Sequence, residues 1–297
     1  MRTRRHRSRT VLAAVTAALL GAAGCAFGGG SAGPDGGTAT ARPSPTSAWD
    51  RTPRSLAAVG DSITTGYDAC RVLSDCPKVS WATGTDPEVD SLAVRLLGKA
   101  GADGRSWNHA VSGSRMADLP AQMEKAAAHR PELVTVMAGA NDACRRTTGA
   151  MTSVAAFRAS FEEAMEVLRE GAPKAQVYVA SVPDLKRLWS EGRRNPLGKQ
   201  VWQLGICPSM LADPDALDAA ATERRDTVRD RVEAYNTVLE EVCAKDRRCR
   251  FDGGAVFEYR FGTGELSTWD WFHPSVKGQA RLAEIAYRAV TAREEPS

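Results

Sequence analysis

From about residue 55 onward, short apolar runs alternate with stretches of helical periodicity. Residues 55–59, 133–137 and 177–180 are apolar runs of strand length, each too short for a helix, and 107–111 reads as a further strand candidate. Between them lie helix patterns over 91–99 and 119–129, the latter ending before Pro131. Ser153 caps a third helix with Val154, Phe157, Phe161, Ala164, Met165 and Leu168 on one face, and Gly171 and Pro173 stop it. Residues 222–244 and 276–291 complete the set. Continuous rather than alternating apolar runs predict strands buried on both faces. The expectation is one α/β domain over 55–297, a mainly parallel sheet between two layers of helices, with chemistry gathered at the carboxyl ends of the strands.

The region before residue 55 reads differently. Residues 1–24 pair an arginine-rich start with an apolar run from Val11 to Gly24 that is shorter than the ~20 residues of a membrane span, which predicts a signal peptide. Ala22-Ala23-Gly24-Cys25 resembles a bacterial lipobox, although Leu is usual at the position of Ala22. Lipidation at Cys25, anchoring the chain to the outer face of the cytoplasmic membrane, and free secretion are both open. Residues 25–54 are rich in Gly, Ser, Thr, Ala and Pro, a composition expected to stay disordered, with a reach of about 30 Å as a tether. The leader's five arginines turn the formal +3 of the whole chain into −2 without it. The basicity is therefore a sorting feature, and no nucleic-acid partner is expected.

Setting Cys25 aside leaves six cysteines, an even number that reads as disulfides in an exported chain. Equal short gaps favour Cys70–Cys76 and Cys243–Cys249, leaving Cys144–Cys207. In the chain-entropy picture the long loop gains roughly 4 kcal/mol and the short ones about 2 kcal/mol each. A metal site is disfavoured, because no Cys-x-x-Cys pair or neighbouring His accompanies these residues.

The chain has four histidines, of which His6 lies in the leader. His273 stands in Asp270-Trp271-Phe272-His273-Pro274, with an Asp three residues before it. In a helical turn that spacing puts both side chains on one face, where Asp270 can fix the imidazole tautomer. Pro274 suits the first position of the next helix. Gly60-Asp61-Ser62 comes just after the first strand, so Ser62 is a candidate nucleophile needing a base. Asn141, in Gly139-Ala140-Asn141-Asp142, and the backbone N–H of Gly113, in Ser112-Gly113-Ser114, are candidate donors to an oxyanion. Each signal alone also fits an ordinary turn, loop or helix cap.

Together and in this order, the four blocks resemble the SGNH (GDSL-type) family of esterases and lipases, over the whole domain from residue 55. The resemblance implies a three-layer, flavodoxin-like α/β/α fold and an acyl-enzyme mechanism without metal or organic cofactor. Ser62, His273 and Asp270 would be catalytic; Ser62 N–H, Gly113 N–H and the Asn141 amide would form the oxyanion hole. Residues 76–84 and 139–144 look like the phospholipase B-like branch, of the secreted actinobacterial type, which implies lipid acyl esters as substrates and a monomer. A carbohydrate O-acetyl esterase acting on glycans is the competing enzyme reading. A surface lipoprotein with a relic site is a third, disfavoured because every catalytic position is filled. Trp81, Trp189, Trp202, Trp269, Trp271 and Phe272 are candidates for lining an acyl groove or stacking on sugars, and equally good core residues.

Overall fold

The structure is a computed structural model that describes residues 49–296. The expected signal peptide and Cys25 lie outside the described residues. Among the described residues, no helix is long and apolar enough to cross a membrane.

Five parallel strands form the sheet: β1 (Leu56–Gly60), β2 (Ser106–Asn108), β3 (Leu133–Met137), β4 (Gln176–Val179) and β5 (Cys249–Phe251), in the order β2-β1-β3-β4-β5. This is the flavodoxin-like order. Every residue of β1, β3, β4 and β5 is buried, as the continuous apolar runs require of strands covered on both sides. The helices Leu119–Ala128, Val154–Gly171 and Ala219–Cys243 pack on one another, while Leu92–Leu97 packs on Val276–Thr291. These two groups result from right-handed crossovers: the chain moves one way from β1 to β2 and the other way afterwards. The direction reverses between β1 and β3, so the loops after these two strands flank a crevice.

Two strand boundaries differ from expectation by their hydrogen bonds. β2 begins at Ser106, and the N–H groups of His109 and Val111 still donate to the carbonyls of Ala58 and Gly60 (2.8 and 3.2 Å). β4 begins at Gln176, whose N–H reaches Glu132 O at 2.9 Å. β5 is not expected from the periodicity, because its three residues have Arg250 at the centre. That guanidinium is buried, donates to Ala292 O (2.9 Å) and lies 4.5 Å from the centre of the Trp49 ring.

Trp49 also corrects the extent of the tether. It falls in the segment expected to be disordered, yet it is 6 % exposed and its Nε1 donates to Val290 O at 2.8 Å. Gln176 Nε2 donates to Asp50 O (2.8 Å), and Arg54 pairs with Glu132. Packed chain therefore extends at least six residues ahead of 55, held by one indole in a Gly- and Ser-rich neighbourhood.

All three cysteine pairs expected from spacing are bonded: Cys70–Cys76, Cys144–Cys207 and Cys243–Cys249. Between β4 and the Ala219–Cys243 helix lie the short helices Leu185–Gly192, Pro196–Trp202 and Pro208–Leu211. Fully buried Arg225 organises this region by donating to the carbonyls of Ala216 and Asp213, both at 2.7 Å, with the Trp189 ring 4.0 Å away. Burial pulls its guanidinium down to about 10.

Replacing Trp49 by Ala removes a buried indole and uncovers Arg250. The expected loss is about 3 kcal/mol of unfolding free energy by urea titration; a change below about 1 kcal/mol would mean that residues 49–54 do not belong to the folded unit.

Candidate active site

β1 and β3 end side by side, and their final residues, Gly60 and Met137, are register partners. A Cβ on Gly60 would lie 2.2 Å from Met137 O, and the φ of +151° is one that residues with side chains avoid. Glycine is required where the two strands deliver their loops. Asp61 then caps the one-turn helix Ser62–Thr65 by accepting from Ile63 N–H at 3.0 Å. Ser62 starts this helix at the carboxyl edge of the sheet.

Asp270 and His273 arrive from the other end of the chain. They do not share a helical turn, as their spacing suggested. Residues 267–274 form an irregular loop with Trp271 in the left-handed region (φ 52°). Asp270 Oδ1 accepts from the N–H groups of Phe272 and His273, both at 2.9 Å, and so takes the helix's role of bringing the two side chains together. Pro274 is not the first helical residue either; it bridges to Leu266, and Ser275 caps the Val276–Thr291 helix.

The side chains then meet across 211 residues of sequence. His273 Nδ1 lies 2.5 Å from Asp270 Oδ2, and Nε2 lies 2.9 Å from Ser62 Oγ. Asp270 is 1 % exposed. Burial pushes its carboxyl up, but the His273 charge and hydrogen bond, with the two backbone N–H groups, outweigh this and hold it below the usual range. Burial pushes His273 down; the charge and hydrogen bond of Asp270, helped by Asp61 and Asp68, outweigh that and hold it above the ordinary imidazole value. Asp61 is itself pushed up to about 7 by burial. With Nδ1 protonated toward Asp270, Nε2 is the lone pair that can accept the Ser62 proton.

The expected oxyanion donors lie nearby. Asn141 comes after β3 in the turn Ala140–Ala143 and donates through Nδ2 to Ser114 O at 3.0 Å. An amide NH2 has two hydrogens, so one more can serve an oxyanion. Gly113 occupies the turn closed by Ser114 N–H to Val111 O, with φ +84° and nothing within 4 Å of where a Cβ would stand. Its neighbour Ser112 hydrogen-bonds Thr65 Oγ1 at 2.9 Å, and Asp142 accepts from Met116 N–H at 2.8 Å, tying the loops after β2 and β3 together.

Ser62, Asn141 and His273 open onto a cavity of about 290 Å³. Its other walls are Ile63, Leu73, Leu185, Leu188, Ile206, Phe272 and the Cys144–Cys207 bridge, with Tyr67 and Asp68 beside the histidine. Phe272 is the one member of the expected aromatic set that lines it. Trp81 is entirely in the core, Trp189 packs on Arg225, and Trp202 donates to Asp270 O at 2.7 Å. Trp271 pins the loop, its ring atoms packed where a Cβ on Gly198 would stand. Trp269 is 45 % exposed.

Sequence reasoning missed Tyr67, whose ring lies 5.1 Å from that of His273, and Asp68. It also missed the apolar wall from 185–207, where no motif signals a role. The ligand atoms of Asp68, Asp270 and His273 fall within 4.8 Å of one another, but His273 commits both ring nitrogens to Asp270 and Ser62.

No curated protein sequence matches the chain. Similar solved structures include a protein from Parabacteroides merdae described as a GDSL-like lipase (18 % identity, 80 % of this chain and 94 % of that one, TM-score 0.48). Another is an extracellular lipase from Streptomyces rimosus (17 %, 78 % and 99 %, 0.43). A third is a family 3 carbohydrate esterase from Clostridium thermocellum (15 %, 79 % and 93 %, 0.46). The model of the GDSL-like lipase/acylhydrolase family matches residues 56–286, and the chain belongs to that family.

Proposed function

We propose that this protein is a serine ester hydrolase working through an acyl-enzyme, with Ser62 as nucleophile, His273 as base and Asp270 as its orienter. The observation that carries the reading is the hydrogen-bonded chain from Asp270 through His273 to Ser62 Oγ. As Ser62 Oγ bonds to the ester carbon, its proton passes to His273 Nε2, and the imidazolium so formed faces the Asp270 carboxylate. The carbonyl oxygen becomes an oxyanion held by the Asn141 amide and the N–H groups of Ser62 and Gly113. His273 then protonates the departing alcohol, and the C–O bond to it breaks. Water enters, gives its proton to His273 and attacks the acyl carbon; Ser62 takes the proton back as the carboxylic acid leaves.

For the substrate, we infer an ester whose acyl part is a hydrocarbon chain, such as the lipid esters of the phospholipase B-like branch. The wall facing Ser62 is built from Ile63, Leu73, Leu185, Leu188, Ile206 and Phe272, more apolar surface than an acetyl group can cover. Of the expected aromatic set only Phe272 lines the cavity, which supports an acyl chain there over a sugar stacked on indoles.

With p-nitrophenyl esters, Ser62→Ala lowers kcat by a factor on the order of 10⁶, and a fluorophosphonate probe labels Ser62 in the unaltered enzyme; undiminished turnover, or a label on another residue, would sink the mechanism. The base must be neutral to act, so kcat/KM rises with pH along an acidic limb lying above the ordinary imidazole value of about 6.5. Asp270→Asn removes the charge that holds His273 up; the limb moves to lower pH and kcat drops on the order of 10⁴-fold, and a limb that stays in place argues against Asp270 as the orienter. Across an acyl series, medium-length chains are turned over faster than acetyl. A sharp acetyl preference would instead favour a glycan O-acetyl esterase.

A further inference from the structure

The role of Asp68 rests on the reading of Ser62, His273 and Asp270 as the reacting group. Asp68 lies three residues beyond the Ser62–Thr65 helix, at the edge of the loop closed by Cys70–Cys76, and lines the same cavity as Ser62. Its backbone is left-handed, with φ 54°, and is held there from two sides. Asp68 N–H donates to Ser74 O at 3.1 Å, and Asp68 O accepts from Ser267 Oγ at 2.6 Å. Ser267 in turn donates its N–H to His273 O at 2.8 Å. One serine thus joins the main chain of Asp68 to the loop that carries the base.

The side chain is as tightly placed. The residue is 1 % exposed, and one carboxyl oxygen accepts from Leu73 N–H. One ligand atom each of Asp68, Asp270 and His273 lies within 4.8 Å of the others, so the Asp68 carboxyl stands beside that of Asp270. Two buried carboxyl groups this close do not ionise equally. Burial, and then the Asp270 charge, push Asp68 up to about 6, whereas Asp270 is held down by His273.

We propose that Asp68 is a positioning residue of this site: its main chain, tied through Ser267 to the loop of His273, sets its carboxyl group beside Asp270 and His273, where it tunes the imidazole and couples the pair to the disulfide-closed loop. The groups that face this cluster are Asp61 from the loop after β1, Tyr67 and Asp75 from the disulfide loop, and Asp270 and His273 from the last loop. Below about pH 6 Asp68 is neutral; above it, Asp68 adds a negative charge beside that of Asp270 and favours the imidazolium. His273 therefore becomes a free base only at a higher pH than Asp270 alone would set.

Two readouts test this. Asp68→Asn keeps the shape of the side chain and removes the charge, so the acidic limb of kcat/KM moves to lower pH, and at about pH 6 the variant shows roughly threefold or more of the wild-type share of plateau activity. Asp68→Ala removes the side chain that stands beside Asp270 as well, and its kcat falls about tenfold below that of Asp68→Asn with KM little changed. Independently of turnover, the His273 imidazole is titrated by NMR in the Ser62→Ala protein, with its signal assigned by its loss in His273→Gln. The expected curve has an inflection near pH 6 that Asp68→Asn removes, apart from any set by Asp61, which burial pushes up to about 7. A curve unchanged by Asp68→Asn, or an Asp68→Asn limb that coincides with wild type, overturns the role of Asp68. The titration needs no catalysis, so failure here is separate from failure of the Ser62 mechanism.

Discussion

The site depends on the parallel pairing of β1 with β3 up to their last residues. Gly60 and Met137 approach so closely that no side chain fits on Gly60, and the loops that carry Ser62 and Asn141 leave the sheet side by side. The sheet reverses its winding at this place, which opens a crevice there instead of packing it with a crossover helix. The neighbouring loops are tied to this edge: the turn at Gly113 through Val111 N–H on Gly60, and the loop after β3 through Asp142 on Met116.

A second constraint is charge taken out of water. Asp61, Asp68, Asp270 and His273 gather around one serine, with all three acids nearly inaccessible. Burial alone would discharge each of them. The pair that exchanges charge, Asp270 with His273, overcomes it and stays shifted toward the ionised forms, while Asp61 and Asp68, without a full partner, are pushed to about 7 and about 6. The environment sorts these groups into different protonation states, and the basicity of the imidazole beside the serine is set by that sorting rather than by the ring alone.

Much of this is legible in the chain. Leu133–Met137 and the helices Val154–Gly171 and Val276–Thr291 stand where the periodicity puts them, because buried strands and one-faced helices write their burial directly into residue order. Ser62, Asn141 and His273 are visible because each lies beyond a strand end or ahead of a helix, and the geometry brings them together. Trp49 and β5 are not legible, and for one reason: Arg250 is buried in its strand against the indole of Trp49, 201 residues earlier in the chain, and on the carbonyl of Ala292. The wall at 185–207 is invisible because its helices are short and depend on Arg225 binding the carbonyls around them.

The sequence by itself determined the alternation that makes the parallel sheet, the candidates for nucleophile and base, and an even set of cysteines whose spacing favours one pairing. These are local or periodic properties, and composition and order suffice for them. Only the tertiary structure decided that Asp270 reaches His273 through an irregular turn, that Phe272 faces the cavity while Trp271 pins the loop, and that Asp68 stands beside Asp270 and His273. Each of these is a matter of which side chain points where after distant segments meet, and side-chain direction in a non-repetitive loop is set by its contacts, not by its spacing.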